Sequence, residues 1–385
     1  MRHLFITLFF MFSFKCWSYP DFISYGYKAC ATCHYNGGGS GPLNDYGRAL
    51  MASEFTAGTF TSKTPDQLAD ESGFLGSTEL PWWIRPGIKY RGLYYRTNVG
   101  QTGQVDRWIN MQGDLDLAIH LDQKSELVYI FNYGYVPTPK SLEKSSAPKP
   151  ANWISKDNYI RWQVQKGLML YAGLFDKFFG IRHADHTAVN RSPIGLGQTD
   201  QSTGLALQYS TDEFEATANL FFGNFNQDKE LRQVGASAMY EHYIDKTFTV
   251  GGSLLQSQSD FKKENRYALQ SRLGFAKGKS FLFELGLFDN ASKTSVDKSN
   301  RGYYSFMQGL IGLTKGYNFL TAYQVYKPDI TTANSSESDR LSVGFLIFPF
   351  QRSEMRFELV NSRNLIPDNS DIDTWNLQSQ VHISW

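Results

Sequence analysis

Cys30-Ala31-Thr32-Cys33-His34 is a run whose residue types and spacing suit chemistry on a cofactor. A C-x-x-C-H pattern is an attachment signature for c-type haem. The two thiols add to the two haem vinyl groups as thioethers, and the adjacent imidazole then meets the iron from the same side. Such a tether holds haem even where little protein surrounds it. The pattern predicts one haem c, with Cys30 and Cys33 as the covalent sites and His34 as the proximal iron ligand. Three rival uses of the pair are a structural disulfide, a redox dithiol and half of a zinc site. A zinc site wants a second pair of ligands, and the chain has only one other cysteine, Cys16. A thioredoxin-like dithiol wants a βαβ setting, and none is visible. A disulfide remains open in an oxidising compartment.

The sixth position on the iron has several candidates: Met51, Met111, His120, His183, His186, His242 and His382. His186 is the preferred distal candidate and Met51 the alternative. His183 and His186 lie in residues 177–201, the longest connection after the fifth strand-like segment. In porins the corresponding third outer loop folds into the lumen, so a histidine there would face a haem inserted from below. Arg48 or Arg182 would suit a haem propionate.

The elements that must position these residues differ on the two sides of residue 80. Residues 1–18 read as a signal peptide, with a short basic start, an apolar run and small residues before the cut. Its removal takes away Cys16, Arg2 and Lys15 and turns the net charge from +1 to −1. No basic cluster points to nucleic acid. Residues 19–80 form the predicted monohaem segment and linker. Within it a helix is predicted over residues 42–55, with Leu43, Tyr46, Leu50, Met51 and Phe55 on one face. Residues 57–80 read as linker.

Residues 81–385 show a period of two. Phe281, Phe283, Leu285 and Leu287 alternate with polar or small residues, as do Leu341, Val343, Phe345 and Ile347. About sixteen such segments follow one another, joined alternately by short polar turns and longer polar loops. Their length suits tilted strands crossing the apolar layer of a membrane. Asp114, Asp116, Arg161, Glu284 and Arg356 fall on the opposite parity and are predicted to face inward. A mean hydropathy of −0.39 together with 15% aromatic residues fits a membrane barrel, because its strands need apolar residues only at alternate positions. The terminal strand ends on Trp385, with Val381 and Ile383 at alternate positions, a pattern similar to the signal read during barrel assembly. The predicted fold is therefore an all-β membrane protein: an antiparallel outer-membrane barrel of about sixteen strands carrying a small N-terminal haem segment, in a Gram-negative bacterium.

The order of a leader, a single Cys30-x-x-Cys33-His34 motif, a short spacer and about sixteen strands resembles the fused outer-membrane cytochrome–porins of iron-oxidising bacteria. The resemblance is architectural over nearly the whole chain and sequence-specific at Cys30, Cys33 and His34, with Trp385 a weaker match. It implies a haem plug that moves electrons across the outer membrane. The iron oxidisers carry a Phe-Ala-Arg-Gln-Thr-Gly run before the first cysteine, whereas residues 19–29 here read YPDFISYGYKA, so ferrous iron is not implied as donor. Residues 173–180 (GLFDKFFG) look like the passage into the third loop of phosphate-selective porins, which points to barrel ancestry and not to phosphate transport.

Three functions follow as expectations. The first is a non-enzymatic electron conduit between an extracellular donor or acceptor and a periplasmic carrier such as a cytochrome, with outer-membrane lipid around the barrel and no nucleic-acid partner. The second is a diffusion porin with a tethered periplasmic cytochrome domain acting as carrier or sensor. A peroxidase, with His186 as the distal acid–base group, is the third.

Overall fold

The computed structural model describes residues 20–76, 80–100, 103–136, 152–293, 299–332, 335–365 and 372–385, with Asn152 described by its backbone alone. The predicted signal peptide lies outside the described residues.

The period of two becomes a closed antiparallel barrel. Its strands are β1 (Ile84–Thr97), β2 (Val105–His120), β3 (Leu127–Val136), β4 (Asn152–Ile154), β5 (Asn158–Gln165), β6 (Leu168–Phe175), β7 (Ser202–Ser210), β8 (Phe214–Phe221) and β9 (Val234–Tyr243). They continue with β10 (Phe248–Gln258), β11 (Lys262–Ala276), β12 (Lys279–Ser292), β13 (Ser299–Thr314), β14 (Tyr317–Lys327), β15 (Glu337–Ile347), β16 (Ser353–Leu365) and β17 (Ile372–Ser384). Apart from β4 and β5, neighbouring strands in the sequence pair with each other, and β17 pairs with β1 from Lys89↔Ser384 to Arg96↔Leu377, which closes the ring. Among the described residues, closure pairs the first strand with the last, which spares the apolar layer an open edge, where an unpaired backbone group would be costly.

β4 and β5 both pair with β3 and together make one stave, so the seventeen segments form a sixteen-stave barrel. The sequence pattern places a strand start near residue 156, whereas the pairing begins at Asn152. Between the two segments, Lys156 and Asp157 are both buried. Two consecutive inward side chains break the period of two, and the strand splits there.

Burial along the strands is inverted relative to a soluble protein. On β12, Ser280, Leu282 and Glu284 are buried, while Phe281, Leu285 and Leu287 are exposed. Asp114, Asp116, Arg161 and Arg356 are likewise buried, as their parity predicts. The exposed apolar residues form the lipid-facing wall, with Trp82, Trp83, Trp108, Trp153, Trp375 and Trp385 among its exposed aromatics.

Among the described residues, two segments occupy the lumen. Residues 176–201, between β6 and β7, fold inward. Ile181 and Ala188 pack on Leu282 and Phe306, and Phe179, Ile194 and Leu196 pack on Phe221, Leu255 and Phe288. The N-terminal segment enters from the end that carries the short turns. Its Phe22, Cys33, Leu50 and Phe55 cluster with the inward residues Leu310, Leu320 and Leu346 and with Phe348. On the opposite side of the ring, Tyr35 packs among Val128, Ile130, Tyr159 and Tyr171. The segment therefore bridges the lumen from β13–β15 to the staves around β3–β7.

The predicted helix is shorter than its pattern. An α-helix spans Asp45–Leu50, followed by a wide π-type turn over Met51–Phe55. Asn44 caps it by accepting a 2.8 Å hydrogen bond from the Gly47 amide, so Pro42 and Leu43 lie before its start. Leu50 and Phe55 are buried, but Tyr46 is exposed and its hydroxyl shares a 3.1 Å hydrogen bond with that of Tyr27. The stretch expected to be linker holds a second helix, Pro65–Asp70, closed by a capping box between Thr64 and Gln67.

Candidate functional site

The two cysteines share one side of a tight turn. Cys30–Thr32 is a 3₁₀ turn in which the amides of Cys33 and His34 donate to the Cys30 carbonyl at 3.1 and 3.0 Å. Side chains three residues apart eclipse in such a turn, so the two intervening residues put both sulfurs on the same face. They are not joined in a disulfide.

Neighbouring chain then holds the turn against the lumen. His34 and Leu43 form an antiparallel bridge, which makes residues 35–42 a closed loop. The Asn44 amide donates to the Cys33 carbonyl at 2.9 Å, fixing the following helix against the motif. Gly47 faces that same carbonyl so closely that a Cβ would lie 2.3 Å from it. Gly39 adopts φ +82°, and a Cβ there would stand 3.2 Å from the Cys30 sulfur. Both glycines keep the chain flush around the motif. Tyr35 anchors the loop to the wall through a 2.9 Å hydrogen bond between its hydroxyl and Nε2 of His120.

Above the turn lies a cavity of about 340 Å³, within the size range of cofactor sites. Cys30, Cys33 and His34 line it from the N-terminal segment, and His183, His186 and Arg191 line it from the inserted loop. Met51 and His382 also border it. Among the described residues its lining carries eight cationic side chains and four acidic ones. Several cations are already neutralised: Lys89 by Asp116 at 3.0 Å, Lys156 by Asp114 and Arg182 by Asp176. Arg91 makes no ion pair among the described residues, and its Nε is buried without an acceptor.

These features fit a haem tethered from below. The paired sulfurs open onto the cavity beside an imidazole, and the excess of positive charge suits two propionates. The Nδ1 atom of His34 is buried without a hydrogen bond, and its ring borders the cavity. Burial lowers the pKa of His34 to about 4, which keeps the imidazole in the neutral form that binds metals. Burial also pushes the Cys30 thiol up to about 12, so it stays protonated before any attachment.

The structure sorts the other sequence candidates. His186 borders the cavity, and burial lowers its pKa to about 4. His183 borders it too, but its Nε2 is engaged with Asn190 Oδ1 at 2.9 Å and its ring stacks on Phe306 at 4.3 Å. His120 is turned to Tyr35 and to Ser125, the latter at 2.6 Å. His242 is on the exposed face of β9, away from the lumen. Met111 is buried on β2 and does not border the cavity. Arg48 pairs with Asp45 on its own helix and is not part of the lining, whereas Arg182 is. Arg91 and Glu354 are lining residues that sequence reasoning missed. Their only signal is inward parity, shared by every other lumen residue.

The fold defines a class, the closed antiparallel barrels of the kind seen in outer-membrane porins. The solved structures similar to this chain include OmpT of Vibrio cholerae, at 8% identity and a TM-score of 0.59, covering 78% of this chain and 97% of that one. The outer-membrane channel DcaP of Acinetobacter baumannii matches at 12% identity and a TM-score of 0.58, covering 78% and 97%. An anion-selective porin from Comamonas acidovorans matches at 10% identity and a TM-score of 0.57, covering 78% and 99%. At these identities the likeness is one of fold. No protein-family model and no curated protein matches the sequence.

Proposed function

We propose that this outer-membrane barrel is an electron conduit: one haem c, tethered by Cys30 and Cys33 and held proximally by His34, sits in the lumen between an extracellular donor or acceptor and a periplasmic carrier. The observation that carries the reading is that all three motif residues border one lumen cavity, inside the barrel and not below it. When bound, the haem supplies a one-electron couple at its iron. The chain does the rest. The turn at Cys30–Thr32 orients the tethers, and His34 offers a neutral ring. Arg91 offers a counter-charge to a propionate. The N-terminal segment and the inserted loop restrict water and solute passage around the site. In this reading the protein acts as an electron carrier and not as an enzyme.

A diffusion porin with a cytochrome domain hanging below it is the other reading. The bridge from Phe22 and Phe55 on one wall to Tyr35 on the other favours the conduit, because it places the N-terminal segment across the pore. The test uses the full chain expressed with c-type maturation. Mass spectrometry is expected to find haem on the peptide carrying Cys30 and Cys33. Liposomes containing the protein are expected to pass electrons to an enclosed acceptor, with low ion conductance. An unmodified peptide, or a wide open channel with no electron transfer, would overturn the proposal.

A further inference from the structure

Three inward side chains meet at the seam where the barrel closes. In the strand register His382 on β17 stands opposite Arg91 on β1 and opposite Glu354 on β16. All three border the cavity that holds Cys30, Cys33 and His34. The Nδ1 atom of His382 lies 3.3 Å from Oε2 of Glu354. Its other ring nitrogen, Nε2, is buried with no hydrogen-bond partner. A buried imidazole nitrogen without a partner costs free energy unless something occupies it. An imidazole whose Nδ1 is held by a carboxylate has the arrangement that orients a metal-binding histidine and raises its basicity.

The seam is also beside the motif. Cys33 packs against Phe348, and the short turn after Phe348 leads directly into β16 and Glu354. The rival side chains lack this combination. Met51 packs against the apolar cluster of Phe22, Leu50 and Phe55, where a thioether is explained by packing. His183 also has a buried nitrogen without a partner, Nδ1, but its Nε2 is held by the Asn190 side-chain amide and not by a carboxylate. The ring of His186 has no hydrogen-bond partner among the described residues, so no carboxylate orients it.

We infer that His382, positioned by Glu354, is the second side chain that would hold the iron of the lumen haem, together with His34. This deepens the conduit reading and rests on it. It moves the distal ligand from the inserted loop, where the sequence placed it, to the barrel wall. A ligand on the wall would hold the iron at the seam whatever the loop does. It would also make the site a bis-histidine one, without the rise in potential that methionine ligation brings.

The test uses the full, haem-loaded protein in detergent, with visible and electron paramagnetic resonance spectra as readouts. Mass spectrometry first confirms that haem is attached, and a wild-type chain without it overturns both this inference and the conduit reading. With haem attached, the wild type is expected to be low-spin. His382→Ala is expected to be high-spin, and added imidazole is expected to restore the low-spin spectrum. His186→Ala and Met51→Ala are expected to leave the spectrum unchanged. Glu354→Gln is expected to stay low-spin with a raised midpoint potential, because the ligand loses its carboxylate partner. This variant keeps the test open even where His382→Ala disturbs barrel closure. A low-spin His382→Ala protein, a conversion to high-spin in His186→Ala or Met51→Ala, or an unchanged potential in Glu354→Gln would each overturn the assignment.

Discussion

Glu284 on β12 accepts a 3.0 Å hydrogen bond from Nδ2 of Asn190 in the inserted loop. The same carboxylate accepts from the Ile181 amide at 2.6 Å and from the Tyr304 hydroxyl at 2.7 Å. One wall residue thus ties both arms of the loop to the barrel, beside their packing on Leu282 and Phe306. Removing it strands two buried donors, the Ile181 amide and the Tyr304 hydroxyl, each at a cost of about 1–3 kcal/mol, and leaves the Asn190 amide with its 3.3 Å bond to the Ile181 carbonyl. Glu284→Ala is expected to leave the barrel intact while speeding hydrogen exchange at the Ile181 amide and raising single-channel conductance. Unchanged exchange there would show that packing on Leu282 and Phe306 is sufficient by itself.

Docking of the N-terminal segment is expected to depend on pH through Asp21. This carboxyl is buried and accepts from Ser280 Oγ at 2.5 Å and Gln308 Nε2 at 3.0 Å. Burial raises its pKa from 3.8 to about 6. The docked form therefore binds more protons than the undocked form between those values. Its contribution to docking is fully present below pH 3.8 and lost as pH rises through about 6. In the haem-free chain His34 acts in the opposite sense: its pKa falls from 6.5 to about 4, so its contribution is present above pH 6.5 and lost as pH falls through about 4. The Asp21 effect is thus read as the difference between the wild type and Asp21→Asn. Protease sensitivity of the segment, measured from pH 4 to 7, should rise less steeply with pH in the variant. Parallel curves would remove Asp21 from the account.

Gly47→Ala should disturb the motif without touching it. The added methyl would stand 2.3 Å from the Cys33 carbonyl, so either the helix or the turn must shift. Overpacking of this kind costs roughly 1–3 kcal/mol. The expected outcome is a lower yield of attached haem, read by absorbance per protein, with barrel folding unaffected on heat-modifiability gels. Equal haem yield would mean that the helix yields easily.

Arg272 on β11 links the wall to the N-terminal segment. Its Nη2 donates to Glu241 Oε2 at 2.5 Å and to the Lys28 carbonyl at 2.8 Å. Arg272→Met would leave Glu241 buried and unpaired, a loss of about 3–5 kcal/mol. A lower urea midpoint is expected, with part of the loss recovered in Arg272→Met/Glu241→Gln. An Arg272→Met midpoint equal to that of the wild type would place the pair among those that contribute nothing measurable.

The barrel and the motif were legible in the sequence because both are written locally. Alternation assigns Phe281, Leu285 and Leu287 to lipid and Glu284 to the lumen with no knowledge of neighbouring strands. The spacing of Cys30 and Cys33 likewise defines a shared face within a single turn. The docking surface was not legible. Leu310, Leu320 and Leu346 have inward parity yet are apolar, and on strands such as β14 both parities carry apolar residues, so alternation cannot mark which of them meet a plug. Tyr46 departs from the periodic pattern for a related reason: the helix begins at Asp45, after an Asn44 cap tied to the Cys33 carbonyl, and its buried face is chosen by the barrel wall.

Read alone, then, the chain tells that strands alternate, that they are numerous enough for a wide barrel and that one C-x-x-C-H motif precedes them. Tertiary structure alone decided that this motif lies inside the lumen, that the long loop folds down over it, and that His382, Glu354 and Arg91 share its cavity. The physical reason is range. Strand parity and turn geometry are set by bonds between near neighbours in the chain. The seam instead joins β1 to β17, residues almost three hundred positions apart (Arg91 and His382), and only closure of the ring brings them together.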